Sequence, residues 1–169
     1  IIELIIIVVV LSIIAAASIS RILGGNAFDS FILRDQIISL SRTAQQSALG
    51  RADVTLTIQP SASLETVTLT TRYGSGPSTI ISEVETNLAP ISLTGIINNT
   101  DSCSVSTGTP ITNAAPLIIR FDELGDLALS GFGAGTAVTR SVKICLNNIP
   151  EDAVCVSPAG FAYGGNCDD

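Results

Sequence analysis

The chain has no histidine, no methionine and no tryptophan, and aromatic residues make up only 4% of its 169 positions. Without histidine, the commonest general base is absent, together with imidazole-based nucleophilic triads, most catalytic zinc sites and histidine-ligated haem. Without methionine, the chain is expected not to be an intact translation product, its start having been cut away. Charge is scarce as well, at 14% of residues against 46% hydrophobic, and Lys143 is the single lysine. Residues 1–58 are neutral, with Arg21, Arg34, Arg42 and Arg51 against Glu3, Asp29, Asp35 and Asp53, so the formal charge of −7 falls entirely on residues 59–169. An acidic body repels phosphate backbones, and bulk nucleic-acid binding is not expected. No cofactor, metal or catalytic residue is expected, and the chain reads as no enzyme.

There is also no Cys-x-x-Cys pair. Cys103, Cys145, Cys155 and Cys167 are dispersed through the C-terminal half. Structural zinc uses closely spaced ligand pairs, so an even number of scattered cysteines reads as two disulfides made in an oxidising compartment. Three connectivities are open. Cys145 and Cys155 flank a turn-rich stretch, 147–152, which allows them to face each other across a hairpin and leaves Cys103 for Cys167.

What the chain does have is a long apolar run at its start. As a helix, residues 4–19 span about 24 Å, and the flanking Ile1, Ile2, Ile22 and Leu23 extend that to the ~30 Å of a bilayer core. The run is long for the apolar part of a signal peptide and has no cleavage motif, so it reads as a membrane-spanning helix. Beyond it, Leu33, Ile37, Leu40, Ala44 and Ala48 recur at helical spacing, with Arg34, Asp35, Ser39, Arg42, Gln45 and Gln46 between them. Gly50 stands where a C-terminal cap belongs. Gly24 and Gly25 mark the weakest point of a helix of nearly 50 residues.

From Ala52 the period changes to two. Val54, Leu56 and Ile58 alternate with threonines, as do Val67 and Leu69. Further strands are expected at 78–82, within 91–97, and at 117–122, 127–130, 137–147 and 153–157, with a polar loop at 98–115. The expected architecture is α+β. It comprises an apolar helix (residues 1–23), its amphipathic continuation (24–50) and an antiparallel β-rich head (51–169) of seven or eight short strands.

Glu3 is the anomaly. A carboxylate near the centre of a membrane span costs about 2.5–3.5 kcal/mol, and nothing in residues 1–20 neutralises it. The stretch Ile2-Glu3-Leu4-Ile5-Ile6-Ile7-Val8-Val9-Val10 resembles the mature N-terminus of type IV pilins and type II secretion pseudopilins. That family begins with an N-methylated phenylalanine and carries its glutamate at the fifth position, against the third here, so two residues are expected to be missing before Ile1. The segments 28–39 and 42–48 are similar to the second helical half of mannose-sensitive haemagglutinin (MSHA) pilins and related minor pilins. Ile119-Arg120-Phe121-Asp122-Glu123-Leu124-Gly125 and Val156-Ser157-Pro158-Ala159-Gly160-Phe161 are similar to the paired strand-turn-glycine segments of that subgroup. Ser12 and Ser20 depart from the family, which often has glycine and proline there.

The resemblance implies a pilin fold and a structural subunit of an extracellular filament. It implies a precursor in the inner membrane, cleavage by a prepilin peptidase, and extraction by the pilus assembly machinery into a helical homopolymer on the cell surface. Ile1, Ile2, Glu3, Leu4, Ile5 and Val8 would be the assembly residues, with Glu3 neutralised by a neighbour's N-terminus, and Gly24-Gly25 would loosen the helix. The alternatives are a minor pilin or pseudopilin at a filament tip, and a membrane-anchored periplasmic binding module that never polymerises. Asp122, Glu123 and Asp126 lack EF-hand spacing and read as a solvated acidic turn. Asp168-Asp169 reads as a soluble tail, Asn98-Asn99-Thr100 as a chance sequon, and Phe28 and Phe31 as packing residues.

Overall fold

The structure is a computed structural model that describes residues 2, 3, 6, 7, 9, 10, 25–74, 78–97, 102–104, 106, 108–132, 136, 137, 140–165 and 167. A single helix, α1 (Gly25–Ala48), packs on antiparallel β-sheets, giving an α+β fold. Its apolar stripe is the one expected: Leu33, Ile37, Leu40, Ala44 and Ala48 are buried, while Asp35, Ser39, Arg42 and Gln46 are exposed. Soon after Ala48 the chain leaves the helix through Gly50, whose φ of +73° suits glycine best. The Gly50 amide donates to Glu123 O (3.0 Å), which fixes the direction in which the helix hands over to the sheet.

The continuous described helix has 24 residues, where a helix of nearly 50 is expected from the sequence. Residues 2, 3, 6, 7, 9 and 10 are helical, and 11–24 lie outside the described residues. Among the described residues no helix is long and apolar enough to cross a membrane.

The strands are β1 (Val54–Pro60), β2 (Thr66–Tyr73), β3 (Thr79–Asn87), β4 (Leu93–Ile97), β5 (Thr109–Pro110), β6 (Leu117–Phe121), β7 (Leu129–Phe132), β8 (Thr136–Ala137), β9 (Val142–Leu146), β10 (Ile149–Val156) and β11 (Ala162–Gly164). They form two sheets rather than one, ordered β3-β2-β1-β6-β7-β8 and β11-β10-β9-β4-β5. In β1 and β6 the period of two is regular: Val54, Leu56 and Ile58 point inward beside Leu117, Ile119 and Phe121, and the intervening residues are only half-buried. Leu93, Val142, Ile144, Leu146, Val154 and Val156 supply the second sheet's share of the same core, which α1 closes. Gly95 admits Phe132 between the sheets; a β-carbon there would stand 3.1 Å from the phenylalanine ring. Arg42 donates through Nε and Nη2 to Ala162 O (3.3 and 3.1 Å), so α1 covers the edge strand β11.

Several expected boundaries move. β3 runs on to Asn87, past the expected end at 82, because Glu83 and Glu85 lie on the outward face of an edge strand where charge is tolerated. The polar loop 98–115 contains β5, and 137–147 divides into β8 and β9. The turn at 147–152 shrinks to Asn147 and Asn148, whose φ values of 53° and 58° are those of a tight two-residue hairpin.

That hairpin also changes the expected disulfides. The bridges are Cys103–Cys145 (Cα–Cα 5.7 Å) and Cys155–Cys167 (5.3 Å). Leu146 faces Ile149 across the hairpin, but an irregularity in β10 sets Val154 opposite Ile144 and Cys155 opposite Lys143. Cys145 and Cys155 are therefore diagonal neighbours, about 7–8 Å apart in such a sheet. A disulfide spans Cα separations of only about 4.4–6.8 Å. Cys145 instead meets Cys103, in a small cluster with Ile96 and Ala153 on the outer face of the second sheet.

Candidate assembly surfaces

The described residues of the N-terminal stretch present an exposed apolar surface. Ile2, Ile6, Ile7, Val9 and Val10 are helical and 47–76% exposed. Burying one such side chain is worth about 1.5–3 kcal/mol, so five together form a strong drive toward lipid or other helices. Glu3 is exposed among them, and no cation pairs with it among the described residues. Ile1, Leu4, Ile5, Val8 and Gly24 lie outside the described residues; Gly25 opens α1.

At the far end of α1 two turns clasp the helix. In the first, Asp122 Oδ1 accepts from the amides of Leu124 and Asp126 (2.9 and 3.0 Å), and its backbone carbonyl accepts from Gly125 N (3.0 Å). In the second, Gly160 N donates to Ser157 O (2.8 Å) and Phe161 N to Ser157 Oγ (3.2 Å). Leu127 N joins the two by donating to Pro158 O (2.8 Å), and Gln45 Nε2 ties them to the helix through Ala159 O (2.9 Å). The acidic turn expected at Asp122–Glu123–Asp126 is thus organised by its own amides, and no metal-holding cluster occurs among the described residues.

The clasp raises three large apolar side chains into solvent: Leu49 (61% exposed), Leu124 (76%) and Phe161 (65%). With Gln45, Gln46 and Asp126 they line an open groove of about 430 Å³. Asp126, among its lining residues, is exposed. We call this end of the head the pole. None of the three stands out in the sequence as a surface residue, because they come from three separate segments. Leu49 alone leaves a signal, since it falls off the buried stripe of α1 immediately before Gly50.

The opposite end of α1 carries a second apolar patch. Phe31 is 48% exposed and Ile32 37%, which corrects the expectation that Phe31 is a packing residue; the side chain of Phe28 lies outside the described residues. The Arg34 guanidinium lies 5.1 Å from the centre of the Phe31 ring, a cation–π distance. It also approaches Asp35 Oδ1 (3.6 Å) and Glu151 O (3.4 Å), both long contacts. At about 1.5 Å per residue, Phe31 and Ala48 stand about 25 Å apart along the helix axis.

The chain matches no family model, no curated protein and no solved structure.

Proposed function

We propose that the chain is a structural subunit of a type IV pilus-like extracellular filament. The observation that carries this reading is the set of exposed, helical apolar residues Ile2, Ile6, Ile7, Val9 and Val10, with Glu3 among them, ahead of an amphipathic helix seated on a disulfide-braced head. The N-terminal stretch and α1 then act as two halves of one assembly helix. An all-apolar helix of this kind leaves a membrane at small net cost only where the same surface is re-buried against other helices. A bundle of N-terminal helices from many copies provides that burial. Glu3, desolvated in the bundle, is neutralised by the N-terminal amine of a neighbour, which sets the axial register.

In this reading the head coats the filament, and its role is structural rather than catalytic. Two disulfides suit an oxidising exterior. The precursor resides in the inner membrane, is processed by a prepilin peptidase and is drawn into the fibre by the assembly machinery, as the resemblance implies. The test is electron microscopy of material sheared from producing cells, with mass spectrometry of its main protein. Thin uniform filaments composed chiefly of this chain are expected. Filaments holding only traces of it would move the chain to a tip or pseudopilin role. Retention in the membrane fraction with no filament would leave the non-polymerising anchored module.

A further inference from the structure

From the placement of the chain's single lysine we infer that Cys155–Cys167 is an exchange-active bridge and that Cys167 is a site of S-thiolation by a small thiol. Lys143 holds the departing sulfur of Cys155. The inference concerns the outer face of the second sheet within one copy, so it is independent of the filament reading.

Lys143 lies on β9, with Ile96 of β4 opposite it on one side and Cys155 of β10 on the other. Its neighbours along the strand, Val142 and Ile144, belong to the core, so Lys143 points to the outer face. Residues directly opposite on one face of an antiparallel pair have β-carbons about 4.5–5.5 Å apart. Cys145, two positions along β9, shares that face and carries the other bridge. An outward lysine on a sheet ordinarily runs its stem across the surface and puts its amine in water. Lys143 is instead 2% exposed, and it is the only charged side chain buried among the described residues. A lysine held out of water beside a sulfur is placed to favour negative charge on it. An ammonium has three donors, so it serves a thiolate alongside any other acceptor.

Access decides which bridge reacts and at which end. Cys103 and Cys145 are both buried, and so is Cys155, whereas Cys167 is half-buried. Attack by an external thiolate therefore falls on Sγ of Cys167. A new S–S bond forms there, the Cys155–Cys167 bond breaks, and its electron pair leaves on Cys155 Sγ. One thiolate is consumed and one released; the small thiol is oxidised to the mixed disulfide and Cys155 is reduced. The step is faster the lower the pKa of the departing thiol. Burial among apolar groups pushes a thiol up, and a lysine directly opposite pulls it down. Among the described residues of the flanking strands, Tyr163 of β11 is the other titratable group opposite Cys155. The Asp152 carboxylate accepts from Ser30 Oγ (3.3 Å) and Arg34 reaches Glu151 O, so both charges belong to the α1 side of β10.

The test treats the full chain, purified in detergent, with 2-mercaptoethanol at neutral pH, followed by acid quench, maleimide trapping and peptide mapping. This thiol adds no charge of its own to the site. The expected first product carries mercaptoethanol on Cys167 and maleimide on Cys155, with Cys103–Cys145 intact. Lys143→Met keeps the length of the side chain without its charge, and is expected to slow that product about three- to tenfold. A purely structural role for Lys143 predicts the reverse, since looser packing opens the bridge to attack. The second measurement uses Cys167→Ser, which leaves Cys155 as the free thiol, and follows its alkylation by iodoacetamide against pH. The midpoint is expected below the ordinary thiol value of about 8.5, and adding Lys143→Met should raise it. Equal or faster exchange in Lys143→Met overturns the inference, as does mercaptoethanol found on Cys155 with Cys167 trapped by maleimide. Where Lys143→Met fails to fold, seen as loss of Cys103–Cys145, the midpoint of Cys167→Ser decides alone, and a value of about 8.5 or above overturns the inference. Filament yield is scored separately and bears on the filament reading only.

Discussion

A β-carbon on Gly160 would overlap the carbonyl oxygen of Gly125, and both glycines hold left-handed φ values, +78° and +83°. The two turns at the pole are therefore interlocked at a separation that only glycine allows, with Gln45 filling the remaining side. Gly160→Ala combines backbone strain with a steric clash against main chain, and should cost roughly 2–4 kcal/mol. Thermal unfolding would then shift down by roughly 5–15 °C. Gly50→Ala is the control. Its φ is +73°, but a β-carbon there meets nothing within 4 Å, so about 1 kcal/mol is expected. Equal losses for the two variants would show that the turns are not tightly apposed.

The tight turn between β9 and β10 makes a prediction of opposite sign. Asn148 has φ 58°, and its Oδ1 is buried without a hydrogen-bond partner. Asn148→Gly relieves both, and is expected to raise stability by roughly 0.5–1 kcal/mol after the entropy of the unfolded glycine is deducted. Asn147 is different, because its Oδ1 accepts from Ser92 N (3.0 Å) and its amide donates to Ser92 O (2.9 Å). Asn147→Ala should destabilise by about 1–3 kcal/mol, through the lost bond and an alanine at φ 53°. Denaturant unfolding of the two variants measures both. A destabilised Asn148→Gly would mean that the turn is not of the two-residue type.

The two disulfides should separate under reduction. Cys155–Cys167 closes a short loop, with a sequence separation of 12, and Cys167 is only half-buried; Cys103–Cys145 spans 42 and is buried at both ends. Mild reductant should reach Cys155–Cys167 first, exposing the C-terminal segment to protease before the rest of the head. By loop-closure entropy, removing Cys155–Cys167 costs about 3 kcal/mol and removing Cys103–Cys145 about 4 kcal/mol. Mapping of non-reduced peptides during a reductant titration reads the order. Simultaneous loss of both bridges would contradict the difference in accessibility.

Where sequence and structure agree, the determinants are local and periodic. The stripe Leu33–Ala48 sits where a 3.6-residue period places it, because a helix with one apolar face has one way to bury it. Val54, Leu56 and Ile58 follow from alternation in the same way. The disagreements arise where partners distant in the chain decide. Glu83 interrupts an apolar pattern and so hides the second half of β3, yet on an edge strand opposite Thr70 it costs little. The irregularity between Ile149 and Val154 decides which cysteines meet, and no spacing rule reports it. Phe31 reads as core by composition but lies on the helix side turned away from both sheets. The pole is illegible for the same reason, since Leu49, Leu124 and Phe161 meet only once two glycine turns have closed on Gln45.

Glu3 supplies the sharpest test of the proposed assembly, in which it acts only when copies meet. The residue is exposed within a single chain and has no ionic partner among the described residues, so neither Glu3→Gln nor Glu3→Ala should change thermal unfolding of the head by more than about 0.5 kcal/mol. In a filament core the same substitutions leave the neighbour's N-terminal amine buried without a counter-charge, a loss of about 3–5 kcal/mol at every subunit. Sheared filament yield should therefore fall by about two orders of magnitude or more, with the chain accumulating in the membrane fraction. Glu3→Gln keeps the side chain's shape, so a defect equal to that of Glu3→Ala assigns the effect to charge rather than packing. Normal yield from Glu3→Gln would mean that the carboxylate is not neutralised by a neighbour and that the register of the fibre is set elsewhere.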